Sequence, residues 1–125
     1  MTENEISQKI IGCAIQVHRE LGPGLLESAY EACLYYELKE NGLMVERQRI
    51  LPVVYKSVNL DCGYRLDIVV EDKVIVEVKS VSDIEDIHLA QTMTYLKLSK
   101  YKLGLLINFN VNLVNDGIKR VVNRL

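Results

Sequence analysis

The stretch Tyr64-Arg-Leu-Asp-Ile-Val-Val-Glu-Asp-Lys-Val-Ile-Val-Glu-Val-Lys79 decides the fold. It holds two β-branched runs, read as strands Leu60–Val70 and Lys73–Val81 joined around Glu71 and Asp72. Asp67 interrupts the first strand, and Glu77 and Lys79 interrupt the second. A two-residue period puts Glu77 and Lys79 on one face with Ile75, leaving Val74, Val76 and Val78 on the other. In a central strand a charge is costly unless it is paired or bound to a cation. The rival reading is an exposed sheet face laced with salt bridges. Register separates the two. Asp67 and Glu77 stand opposite each other only if paired residue numbers sum to an even value. A two-residue turn would set Asp67 against Val76, whereas a three-residue loop or a bulge sets it against Glu77.

Outward from this hairpin the periodicity changes. Thr2 and Glu5 have capping-box spacing, and Ile6, Ile10, Cys13, Ala14, Val17 and Leu21 form one helical stripe that Gly22 and Pro23 stop. A second helix is expected from about Leu25 to Asn41, ended by Gly42. Leu43–Tyr55 reads as a strand, with Pro52 marking an edge or a bulge, and Lys56–Asn59 as a turn. Ser82 and Glu85 suggest a second capping box opening a helix from about Asp83 to Lys100. Leu103–Phe109 reads as a buried strand, Asn110–Asp116 as loop, and Gly117–Asn123 leans to a last strand. The order is α-α-β-β-β-α-β with a further final strand. Hairpins followed by a crossover helix imply an α/β fold, a mixed sheet flanked by helices.

Composition bounds the function. The chain has 125 residues, 49% hydrophobic and 26% charged, as expected for one globular domain over residues 1–125. A net charge of −2 excludes a protein that holds nucleic acid by bulk positive charge. The charge is unevenly spread, however. Residues 97–125 carry six basic residues against one acidic, while residues 1–46 carry three against eight. No apolar run approaches a membrane span, and polar Met1–Lys9 does not resemble a secretory signal, so the expectation is cytoplasmic with no membrane partner. Cys13, Cys33 and Cys62 form no CxxC and, with His18 and His88 far apart, give no zinc spacing; buried, reduced thiols are expected.

Two carboxylates and a lysine have a defined chemical use. Carboxylate oxygens are hard ligands for Mg²⁺, which takes few protein ligands and keeps waters. Such a cation polarises a phosphoryl oxygen and acidifies a water, and an ammonium group can position that water or offset charge developing on phosphate.

Asp67-x9-Glu77-x-Lys79 resembles the PD-(D/E)xK nuclease superfamily, with Leu66 where the usual proline stands. Gly24-Leu-Leu-Glu27-Ser-Ala-Tyr30, preceded by His18-Arg-Glu-Leu-Gly-Pro, is similar to the signature of the GxxExxY protein family, a small branch of that superfamily. Gln91-Thr-Met-Thr-Tyr95 resembles the Q-x3-Y element of RecB-like nucleases, and Leu106–Phe109 and Gly117–Arg120 resemble the family's C-terminal segments. The resemblance covers about Ile6 to Asn123 and implies a restriction-endonuclease-like core.

The resemblance implies roles. Asp67 and Glu77 would be the central metal ligands, joined by the backbone carbonyl of Val78, with Glu27 helping directly or through water. Lys79 would orient or activate the attacking water. Gln91 and Tyr95 would face the site from the following helix, with His88 on the same stripe as a secondary candidate. Each residue has a plainer reading. Glu27 would complement a helix dipole, Tyr30 would be core with a tethered hydroxyl, His18 a hydrogen-bonded structural histidine, and Gln91 and Tyr95 part of an ordinary amphipathic helix.

The implied activity is Mg²⁺- or Mn²⁺-dependent, endonuclease-like hydrolysis of DNA leaving a 5′-phosphate. Lys97, Lys100, Lys102, Lys119, Arg120 and Arg124 would be available for the backbone. The alternatives are a non-catalytic nuclease-fold binding or interaction module, and a metal-dependent phosphodiesterase acting on small nucleotides. A homodimer or a partner protein would help so small a core engage its substrate.

Overall fold

The computed structural model describes all 125 residues. Helix α1 spans Glu3–Leu21; Thr2 caps it, with Glu5 closing the expected capping box. Helix α2 spans Glu27–Glu40. Then come β1 (Val45–Ile50), β2 (Val53–Tyr55), β3 (Val58–Leu60), β4 (Arg65–Val70), β5 (Val74–Lys79), α3 (Asp86–Ser99), β6 (Leu103–Asn108), a 3-10 turn at Val114–Gly117, and β7 (Ile118–Val122). The final strand is therefore real. No helix is long and apolar enough to cross a membrane.

Five strands form one sheet in the order β1-β4-β5-β6-β7. Only β5 and β6 run parallel; the other neighbours are antiparallel. The single parallel pair is the one joined by a helix, since parallel neighbours need a long crossover. Helices α1 and α2 cover one face through Ile6, Ile10, Tyr30 and Leu34 against Ile68, Val76, Leu105 and Ile107. Helix α3 covers the other face with Tyr95 and Leu96 against Val69, Ile75 and Val121. A mixed sheet sandwiched by helices is the expected fold class, with the restriction-endonuclease-like arrangement of a central hairpin followed by a crossover.

Three expectations need correction. The long strands Leu43–Tyr55 and Leu60–Val70 each break in two, and β2 and β3 pair separately as a small hairpin. Pro52 lacks a ladder donor at the first break. At the second, Asp61 accepts a hydrogen bond from the Gly63 amide (3.0 Å), and Gly63 adopts φ 86°. Helix α3 starts at Asp86, not near Asp83, because its capping box is Glu85 with His88 instead of Ser82 with Glu85. Of the three cysteines, none paired, only Cys13 is buried; Cys33 and Cys62 are exposed.

Candidate active site

The β4–β5 connection is the three-residue loop Glu71–Lys73. It pairs Val70 with Val74 and sets Asp67 against Glu77, the even register that a shared site requires. Glu71 and Asp72 both take positive φ (54° and 52°), which lets so short a loop close the hairpin.

The paired ladder ends at Ile68 and Val76, and side chains take over one step further on. Glu77 Oε2 accepts a hydrogen bond from the Asp67 amide (2.9 Å), and Asp67 Oδ2 accepts one from the Val78 amide (2.8 Å). Each carboxylate thus caps the opposite strand where the two separate. The adjoining edge is distorted as well. Leu66 and Ile68 pack into opposite clusters although they lie two residues apart. By register Gln48 of β1 lies beside Asp67, and its backbone is left-handed, with φ 52°. A non-glycine residue in that region stores about 1–3 kcal/mol and marks a place held by its surroundings.

Burial dominates the electrostatics. Glu77 is only 5% exposed. Burial, then the neighbouring charge of Asp67, pushes its carboxyl up to about 8, against the Asp67 amide and Lys79, which pull it down. Burial pushes Asp67 up to about 6, opposed by the Val78 amide and Lys79 and reinforced by Glu31 and Glu27. Tyr95 of α3 lies over the pair. Its hydroxyl is raised by burial and then by the charges of Glu77, Tyr64 and Asp67, and its ring meets Tyr64 edge-on at 6.0 Å.

The other expected residues are placed unequally. Lys79 ends β5, half-buried and close enough to lower both carboxyls. Glu27 opens α2, and its Oε2 accepts a hydrogen bond from the Ser80 amide (3.2 Å), which brings it next to Lys79 in the chain. Glu27 does not close with Asp67 and Glu77 into a three-carboxylate set; no trio of acidic, histidine or cysteine side chains draws together tightly enough to cage a metal. Val78 gives its amide to Asp67 while its side chain joins the core. Gln91 is exposed one turn before Tyr95. His88 accepts from the Glu85 amide through Nδ1 (3.0 Å) and serves the helix cap.

The plainer readings hold for two residues. Tyr30 is fully buried, stacks on Phe109 at 4.6 Å, donates to the Gly22 carbonyl (2.5 Å) and accepts from the Leu25 amide (3.1 Å). It therefore grips the loop that leads into Glu27. His18 is buried and its Nε2 lies 2.8 Å from the Val111 carbonyl oxygen.

Sequence reasoning missed Glu31. It is 7% exposed, and its Oε2 accepts from both Nε and Nη2 of Arg47 (3.1 and 2.9 Å) while Oε1 accepts from Gln48 Nε2 (2.8 Å). This network ties α2 to the distorted edge beside Asp67. The available signal was its position one helical turn after Glu27. Asn108 was missed as well; it is buried and bonds both the amide and the carbonyl of Val81, pinning the chain just after Lys79.

The donor set suits a divalent cation. Two buried carboxylates face each other, burial and mutual repulsion both resist their ionisation, and each keeps one oxygen outside the backbone bonds. A cation would relieve that repulsion, and two carboxylates with waters match what Mg²⁺ takes from a protein.

Comparison with known proteins agrees with this arrangement. Neither the curated proteins nor the solved structures gave a match to the chain. Residues 4–121 match the family described as the PD-(D/E)XK nuclease superfamily, a span that takes in both sheet faces, the carboxylate pair and Lys79. With nearly the whole chain matched, and an acidic pair followed by lysine where two central strands part, this protein belongs to the PD-(D/E)XK nuclease superfamily.

Proposed function

We propose that this chain, acting as one nuclease-like domain, is a metal-dependent phosphodiester hydrolase that cuts DNA. The observation that carries the reading is the reciprocal capping of β4 and β5 by Asp67 and Glu77 with Lys79 beside them. Asp67 and Glu77 would hold Mg²⁺ or Mn²⁺ with the Val78 carbonyl, and Glu27 would reach it through water. When bound, the cation supplies charge neutralisation at a phosphoryl oxygen and a more acidic water.

The protein's own groups do the rest. The Lys79 ammonium orients the water and offsets negative charge as it builds on the phosphate. Water adds to phosphorus, and the bond to the 3′ oxygen breaks, leaving a 5′-phosphate and a 3′-hydroxyl. Tyr95, its hydroxyl kept protonated, donates toward a phosphate oxygen, and exposed Gln91 adds a contact one turn away. The finer assignment to the GxxExxY branch is supported by Gly24 at φ 103°, Glu27 on the Ser80 amide and Tyr30 on the loop between them.

The test is incubation of the purified protein with duplex DNA and Mg²⁺ or Mn²⁺. Wild type should cleave and a Lys79→Ala variant should lose about 10²–10⁴-fold in rate. Equal cleavage by the two, or none by wild type, rejects the activity. Divalent binding without cleavage would favour a non-catalytic module.

A further inference from the structure

At the opposite end of the sheet from Lys79, the C-terminal turn of α3, the residue before β6 and the residues after β7 border an open surface cavity of about 420 Å³. Its lining is Lys97, Lys100, Lys102, Arg124 and Asn123, with no hydrophobic residue. None of the four cations makes an ion pair; the ion pairs of this protein involve Arg47, Arg49 and Arg65. Four like charges around one concavity repel one another, on a chain whose net charge is −2. Lys97 and Lys100 complement the negative end of the α3 dipole, but Lys102 and Arg124 lie outside the helix and have no such reason to be there.

The cavity is chemically selective. It offers four cations, which suit phosphate oxygens, while the Asn123 amide donates to the Tyr101 carbonyl (3.0 Å). Its lining includes no aromatic side chain on which an unpaired base could stack, which favours a duplex whose bases are turned inward over a single strand or a free nucleotide.

Its position relative to the carboxylates is set by register. Glu77 pairs with Leu106, and Leu106 pairs with Lys119 of edge strand β7. Val121 joins the α3-side cluster, so exposed Lys119, two residues earlier, projects from that same face. From the level of Lys119 to Asn123 the strand rises about 13 Å. A duplex strand advances about 3.4 Å per phosphate, so the interval is about four base pairs. Arg120 is not part of this track: its guanidinium donates to Asn4 Oδ1 (2.9 Å) on the opposite face.

We propose that the cavity formed by Lys97, Lys100, Lys102 and Arg124 is a second phosphate-binding site, which holds the backbone of duplex DNA about four base pairs from the bond to be cut, with Lys119 level with the carboxylates on the edge strand. This rests on the nuclease reading for the choice of substrate, but its test needs no cleavage.

The experiment is fluorescence anisotropy of the full chain with a labelled 30-base-pair duplex in EDTA, over a series of salt concentrations. Lys100→Glu with Lys102→Glu should weaken binding tenfold or more and shrink the slope of log affinity against log salt by about two. Lys9→Glu with Lys39→Glu, an equal charge change on α1 and α2, should cost less than twofold. A single strand of the same length should bind more weakly than the duplex. Wild-type affinity in the first double variant, or an equal loss in both, overturns the proposal. Calorimetric binding of inorganic tripolyphosphate that depends on Lys100 and Lys102, with duplex affinity unchanged by their loss, also overturns it and assigns the cavity to a small polyphosphate. Absent cleavage by wild type in Mn²⁺ would reject the nuclease reading alone.

Discussion

Asp67 and Glu77 each commit one carboxylate oxygen to the opposite backbone and leave the other free. Both carboxyls hold their protons more tightly in the folded chain than in the unfolded one. Between about pH 4 and pH 8 the metal-free folded state therefore carries more protons than the unfolded state, and stability falls as pH rises across that window. Glu77→Gln keeps an acceptor for the Asp67 amide and removes the charge. It should flatten this decline and stabilise the metal-free protein at pH 8 by about 1–3 kcal/mol. Urea melts of both proteins at pH 5 and pH 8 check this, and parallel pH profiles would count against a buried, repelling pair. The residues of this pair were legible from sequence because charge inside a β-branched run is conspicuous. Glu31 was not, since its partners Arg47 and Gln48 come from a strand whose pairing sequence does not print.

Elements carry these groups into place through a few fixed contacts. The Tyr30 hydroxyl holds both Gly22 and Leu25, so Tyr30→Phe should cost about 0.5–1.5 kcal/mol and loosen the entry to α2 that carries Glu27. Thermal melts report the stability, and amide exchange at Leu25 and Ser80 reports the loosening. Gly117 offers a sharper test. A Cβ there would clash with the carbonyl oxygen of Asn108 at the end of β6, the same residue whose side chain pins Val81. Gly117→Ala should therefore destabilise by about 1–3 kcal/mol or more and displace the chain after Lys79; an unchanged melting temperature would contradict that packing. Helix α1 was readable from its stripe and cap, and the even register that a shared site requires was definable in advance, but whether the β4–β5 loop meets it was settled only by the fold. The split strands and the late start of α3 were not readable, because Pro52, Gly63 and the Glu85–His88 cap compete locally with equally plausible patterns.

On the scale of the whole molecule, two poles emerge on the α3 side of one sheet. One holds buried carboxylates that resist ionisation, and the other holds unpaired cations. The uneven charge along the chain was visible in the sequence, but only folding sorts four of the six C-terminal cations into one cavity and ties Arg120 away to Asn4. The central claim is that the Asp67–Glu77 pair is a divalent-cation site. Titration calorimetry with Mn²⁺ at pH 7.5, repeated in two buffers of different ionisation enthalpy, measures it directly. The predicted result is one site whose occupancy releases protons, since a cation favours the ionised pair, and whose binding is lost in Asp67→Asn and Glu77→Gln. Binding that survives both substitutions, or no binding by wild type, would contradict the account.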